Sequence, residues 1–178
     1  MGPAILAMAY LSVSVALPAV SKDGSRVALS VQEDASCGGD PDSHGQATYA
    51  RVLPVPTPAH EYGASYLIAS PCPNQTEMVE RQIEALNREL ADGGFKSLPA
   101  TTDLTADAKV MGDAVEVTIR RGKIVIGSGR GGFAHRAVLH AGQVVRVSSK
   151  AYFVHVSWLF RGVPHRPSVY EWIPVMLK

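Results

Sequence analysis

Two cysteines, Cys37 and Cys72, are all that the 178 residues contain. Neither belongs to a Cys-x-x-Cys pair or to a Cys/His spacing able to hold tetrahedral zinc, so a zinc finger is excluded. Charge of one sign is also scarce: 17 Lys and Arg stand against 16 Asp and Glu, with no basic block. Nucleic-acid binders concentrate a basic excess on one face to displace counterions, so no nucleic-acid partner is expected. No apolar run is long and uninterrupted enough for a transmembrane span. No segment repeats, which removes solenoids and a complete propeller. Gly-x-Ser-x-Gly and His-Glu-x-x-His are missing too, so no motif announces a hydrolase or a zinc protease.

What is present has the balance of a globular domain. Apolar residues make up 46% and charged residues 19%, which argues against a disordered chain. The length suits one domain, or one domain preceded by a short processed leader. Ala4 to Ala19 is nearly uncharged, apolar and rich in small residues, with Ala16 or Ala19 as ends for a secretory leader, although Met1-Gly2-Pro3 carries no basic residue. The second reading of residues 1–19 is a first strand. Leu11, Val13, Val15 and Leu17 alternate with Ser12, Ser14 and Ala16, and such a strand would end at Pro18, which has no amide hydrogen for a ladder. Residues 20–178 form a single domain on either reading.

Asp23-Gly24 marks a hairpin turn before Val27, Leu29 and Val31 alternate inward. Glu33 to Gly45 reads as a polar loop. Strands follow over Gln46 to Val55 and Tyr62 to Ala69, each closed by prolines. One amphipathic helix is predicted from Asn74 to Asp92. Asn74 and Glu77 have the spacing of a capping box, Val79, Ile83, Leu86 and Leu90 form one apolar stripe, and Gly93-Gly94 supplies the stop, with Phe95 folding back. Glu77 with Arg81 and Glu84 with Arg88 are i,i+4 pairs on the solvent side. From Ala114 the chain turns to strands: a hairpin about Arg121-Gly122, a glycine-rich turn from Gly127 to Gly132, and a second turn at Ala141-Gly142. A long central strand within Gln143 to Phe160 has both faces covered, and a last strand runs from Val169 to Met176, bent by Pro174. The expected fold is α+β, a mainly antiparallel sheet with one helix (about 74–92) packed on it.

Candidate chemistry is sparse. Cys37 and Cys72 close one disulfide in an oxidising compartment and are buried thiols in a reducing one. A closed loop of about 36 residues would stabilise by a few kcal/mol. Cys72 precedes the helix start, where a thiol pKa falls, which points to a thiol enzyme or small hydrolase using Cys72 or a His/Asp pair. Gly127, Gly129, Arg130 and Gly131 follow a predicted strand as phosphate loops do, but Phe133-Ala134-His135 replaces the Lys-Ser/Thr of a P-loop, and a plain connection is the simpler reading. Asp34, Asp40, Asp42 and His44 share the polar loop and could collect around calcium, although a solvated acidic loop explains them as well. No other cofactor is expected. His135, His140, His155 and His165 are scattered, and His155 between Val154 and Val156 reads as a sheet residue. Trp158, Phe160, Tyr170 and Trp172 form a core group or an interaction surface.

One resemblance reaches beyond composition. Leu17-Pro18-Ala19-Val20-Ser21-Lys22-Asp23-Gly24-Ser25-Arg26-Val27-Ala28-Leu29 resembles the opening strand pair of a TolB-type (PD40-like) propeller blade, and it implies a hairpin packed on a sheet. A single copy cannot supply the blades of a propeller. The layout also resembles exported bacterial proteins that carry this short signature, which bring no activity or site residue with them. The sequence therefore points first to a non-enzymatic, exported or envelope-associated binding or structural domain with a protein or small-molecule partner. Its alternatives are the thiol enzyme or hydrolase, the anion- or nucleotide-binding domain, and a cytoplasmic location.

Overall fold

The computed structural model describes residues 11–37, 44–56, 63–112, 114–131, 137–160 and 169–177. Its strands are β1 (Ala19–Val20), β2 (Arg26–Ser36), β3 (His44–Pro54), β4 (Ala64–Ala69), β5 (Lys96–Ser97), β6 (Thr105–Met111), β7 (Ala114–Arg121), β8 (Ile124–Gly131), β9 (Ala137–Arg146), β10 (Ala151–Phe160) and β11 (Val169–Leu177), with one α-helix, α1 (Thr76–Asp92). All the strand pairs are antiparallel. The α+β expectation of a mainly antiparallel sheet with one helix holds.

The strands form two groups. In the first, β4-β3-β2 continues through β1 to β5; its even-numbered residues Ala28, Ala50 and Val52 face α1 through Leu86 and Leu90. Its odd-numbered residues Val27, Leu29 and Val31 meet Val145, Phe153 and Trp172 of the second group. In that group the order is β6-β7-β8-β11-β10-β9, and β6 comes alongside β9, so the strands curl around one core. Val115, Val117, Ile119, Val144, Tyr152, Val154, Val156, Ile173 and Val175 fill it. Complete burial of each such side chain stabilises by roughly 2 kcal/mol. The predicted central strand is β10, whose Val154 faces this core while Phe153 faces the first group, each almost wholly buried.

Strand β11 changes partner along its length. Tyr170 pairs with Gln32 of β2, and Met176 and Leu177 pair with Ser128 and Gly127 of β8. Pro174 stands between these two contacts, where its missing N–H interrupts no ladder on that side. The bend expected at Pro174 is thus the point where one strand passes from the first group to the second.

Four expectations of strands and turns are corrected. The glycine-rich turn at Gly127 to Gly132 does not form: Gly127, Gly129, Arg130 and Gly131 belong to β8, opposite Ile119, Val117, Glu116 and Val115 of β7, and Gly132 lies outside the described residues. A Cβ on Gly129 would lie 2.0 Å from the Pro174 carbonyl oxygen, so glycine here serves the close approach of β8 to β11. Ala141-Gly142 is no turn either; it sits within β9 at a register shift opposite Val154 to Val156, a bulge that increases local twist. The turn lies instead at residues 147–150.

The polar loop from Glu33 is also shorter than expected. The β2–β3 ladder continues from Arg26 opposite Pro54 to Ser36 opposite His44. Past Val31 the β2 residues Gln32 to Ser36 are half-buried or exposed, so this strand needs no apolar alternation there. Finally, the run Leu11 to Leu17 is not a strand ending at Pro18; the strand begins after it, at Ala19, paired with Ala28 on one side and Ser97 on the other.

The helix starts at Thr76, two residues after the predicted start at Asn74. A 3-10 turn, Pro73–Gln75, precedes it, Gln75 occupies the cap position, and no side chain caps it. Asn74 therefore lies inside that turn, and Glu77 pairs with Arg81 instead. The C-terminus follows expectation. Gly94 adopts φ 58°, its amide donates to Ala91 O at 3.0 Å, and the Phe95 amide donates to Leu90 O at 2.9 Å, which seats Phe95 against Leu86 and Leu90.

Candidate functional site

Helix α1 and the segment 11–17 form the most specific side-chain arrangement among the described residues. Both lie over the even-numbered face of the first strand group. Val13, Val15 and Leu17 pack against the cluster of Ala19, Ala28, Ala50, Val52, Leu86, Leu90 and Phe95, while Ser12, Ser14 and Ala16 are exposed. The period-two pattern was thus a correct reading of side-chain burial. It was not a reading of backbone pairing, because a side chain replaces the neighbouring strand. Asn87 of α1 accepts from the Ser14 amide through Oδ1 at 2.8 Å and donates from Nδ2 to the Ser12 carbonyl at 2.9 Å. The carboxamide presents one acceptor and one donor, as a strand peptide does. At the far end the Leu98 amide donates to Pro18 O at 2.7 Å.

Two other polar residues of α1 tie the helix to the sheet. Gln82 accepts the Leu67 amide of edge strand β4. Glu89 accepts from Arg26 Nη1 at 2.9 Å and from the Tyr66 hydroxyl, while the Arg26 guanidinium lies 5.3 Å from the Phe95 ring centre. Burial, followed by the Glu89 hydrogen bond, pushes the Tyr66 hydroxyl up to about 12. Two shallow, open depressions flank this surface. One is lined by Leu11, Glu84, Asn87 and Arg88, and the other by Lys22, Asp23, Arg26, Asp92 and Gly93.

The β1–β2 turn beside the second depression is densely bonded. The Ser21 hydroxyl donates to Asp23 Oδ1 at 2.6 Å, and Ser25 donates its amide and hydroxyl to the two Asp23 oxygens at 3.0 and 2.8 Å. Ser21 Oγ also accepts the Arg26 amide at 3.0 Å. These bonds, that from Ser21 first, hold the Asp23 carboxyl at about 2. The hairpin expected from Asp23-Gly24 is therefore present.

The residues singled out by sequence fall in separate places. A disulfide joins Cys37 to Cys72, linking the end of β2 to the approach to α1, and Cys72 is almost fully buried. Cys72 is therefore not a free thiol in this structure, which removes the group on which the thiol reading stood. Asp34 is exposed on β2, opposite Gln46, and His44 opens β3, opposite Ser36. Asp40 and Asp42 lie outside the described residues, as do His135 and His165. Among the described residues no three His, Cys, Asp or Glu side chains gather as metal ligands. Arg130 is exposed on β8.

His140 and His155 do come together, on neighbouring strands of the second group. The His155 ring meets Trp172 edge to face at 5.1 Å, and burial, then the His140 charge, lowers its pKa. Trp172 belongs to the core, but the side chains of Trp158, Phe160 and Tyr170 lie outside the described residues. Sequence reading missed Asn87, Gln82 and Glu89, because a polar residue on a helix flank carries no local sign of what it touches. Comparison of the chain with family models, with curated proteins and with solved structures finds no match.

Proposed function

We propose that this chain is an exported or envelope-associated, non-enzymatic binding or structural domain. The observation that carries the reading is the Cys37–Cys72 disulfide, since such bonds persist in oxidising compartments and are rare in the cytosol. Its position favours a structural role, because it staples the end of the β2–β3 ribbon to the start of α1. No described helix is long and apolar enough to cross a membrane.

The binding part of the reading is supported by α1, whose Asn87 holds main-chain groups without regard to side-chain identity. An exported form is expected to retain residues 11–19. Val13, Val15 and Leu17 pack into the core, and Ala19 is fully buried between two partners.

Intact mass of the protein from its native host, with and without reduction, tests the reading. A gain of about two mass units on reduction, one opened disulfide, supports export. A fully reduced chain overturns it. A chain cut after Ala16 or Ala19 supports export and contradicts the retained segment.

A further inference from the structure

The sequence assigns Asn74 to a helix cap, and the structure takes that role away. Asn74 lies inside the 3-10 turn Pro73–Gln75, no side chain caps that turn or α1, and Asn74 is left exposed. Asn74-Gln75-Thr76 also has the asparagine–any residue–threonine pattern that accepts N-linked sugars, with no proline in the middle. Such triplets arise often by chance; presentation at the surface and compartment separate acceptors from the rest.

The turn sorts the three side chains. The Ser70 hydroxyl donates to Gln75 Oε1 at 2.5 Å and accepts the Cys72 amide at 3.0 Å, which holds the middle residue half-buried against the chain. On either side of it Asn74 and Thr76 are exposed. The Thr76 hydroxyl donates to the Pro73 carbonyl at 2.9 Å, so it folds back over the turn that contains Asn74. No residue of the turn is buried, and a bulky group attached to Asn74 displaces nothing from the core.

The compartment fits as well. Cys72, two residues before Asn74, is bonded to Cys37, and both disulfides and sugar-bearing asparagines belong to secreted chains. The only other asparagine, Asn87, is followed by Arg88-Glu89 and is engaged with Ser12 and Ser14, so it has neither the triplet nor a free carboxamide.

We propose that Asn74 is a glycosylation site that receives an oligosaccharide from a lipid-linked diphosphate donor during export. This goes beyond the export reading above and rests on it. In the transfer the Asn74 amide nitrogen attacks the anomeric carbon of the donor sugar. The nitrogen–carbon bond forms, the bond from that carbon to the diphosphate oxygen breaks with its electron pair leaving on the diphosphate, and the amide proton passes to a base of the transferase. Nothing is oxidised or reduced.

Mass spectrometry of peptides from the protein made in its native host, kept unreduced and treated or not with peptide N-glycosidase, tests the site. The peptide containing Asn74 should carry an oligosaccharide that the enzyme removes, leaving an aspartate and a gain of about one mass unit over the unmodified peptide. Asn74→Gln should abolish the sugar. Thr76→Ala, which leaves the asparagine in place, should abolish it too, and Thr76→Ser, which keeps the hydroxyl, should retain it.

A disulfide-bonded chain with a bare Asn74 overturns the site and leaves export standing. A reduced chain with a bare Asn74 overturns both. A single hexose on a reduced chain overturns the lipid-linked donor in favour of a nucleotide-linked one in the cytosol. The wild-type measurement requires no variant to fold.

Discussion

Trp172 on β11 donates its indole Nε1–H to the Ser30 carbonyl on β2 at 2.8 Å, across 142 residues of sequence. The bond lies where the two strand groups meet, beside the ladder pair Tyr170–Gln32. Phe153, Val31 and Leu29 surround the ring, so the contact is both polar and packed. Trp172→Phe keeps much of the packing and removes the donor. It should cost about 1–2 kcal/mol, read as a lower urea midpoint with an unchanged slope.

The close approach of β8 to β11 predicts a larger effect. Gly129→Ala places a methyl group 2.0 Å from Pro174 O, a backbone atom that cannot turn aside. Either β11 shifts or the strands separate, at a cost of about 3 kcal/mol. Gly131→Ala is the control, because its nearest neighbours are Ile173 side-chain atoms at 3.6 Å or more. Thermal denaturation should show a marked loss for the first variant and little for the second.

Reduction should destabilise without unfolding the strand groups. The Cys37–Cys72 bond spans 35 residues of sequence, and restricting a loop of that size is worth about 3–4 kcal/mol in the chain-entropy account. Melting with and without reductant checks this. The Cys37→Ser, Cys72→Ser double variant should melt at the reduced temperature and no longer respond to reductant.

Two carboxyl groups give opposite pH signatures. Asp23 is lowered from its ordinary 3.8 to about 2 by hydrogen bonds from Ser21 and Ser25. Its contribution is complete above the unfolded value and is lost as pH falls from 3.8 towards 2. Asp23→Ala should remove that part of the acid sensitivity. Glu171 is raised above its ordinary 4.5 by burial, opposed by Arg51 and reinforced by the nearby Glu33. Its stabilising contribution is complete below the unfolded value and is lost as pH rises through the raised one. Glu171→Gln should therefore remove the loss of stability that sets in as pH rises above 4.5, and an unchanged profile would show that this carboxyl is ionised without cost.

Legibility followed the range of the interactions. The stripe of Ile83, Leu86 and Leu90 and the stop at Gly94 are local, so α1 could be read to within two residues of its start. The hairpin at Asp23 and the two-faced strand around Val154 were readable for the same reason. Strand β6 was not foreseen, because its inward positions are Ala106 and Ala108, too weakly apolar to alternate visibly. Nor was the candidate site. Asn87 lies 73 residues from Ser14, and nothing near it in the chain indicates that its carboxamide faces a backbone.

By itself, the amino-acid order determined where the helix lies, where the Asp23 hairpin turns and which faces of α1 and β10 are apolar, since these depend on period, turn chemistry and burial preference within a few residues. Only the tertiary structure decided what those faces meet. It turned a glycine-rich apparent turn into a strand, because β11 approaches β8 too closely there for a side chain. It laid an apparent first strand across α1, because an asparagine supplies the hydrogen bonds of a missing neighbour. It joined Cys37 to Cys72, because the β2–β3 ribbon ends beside the approach to α1. Each outcome depends on contacts between residues far apart in the chain, which local pattern does not encode.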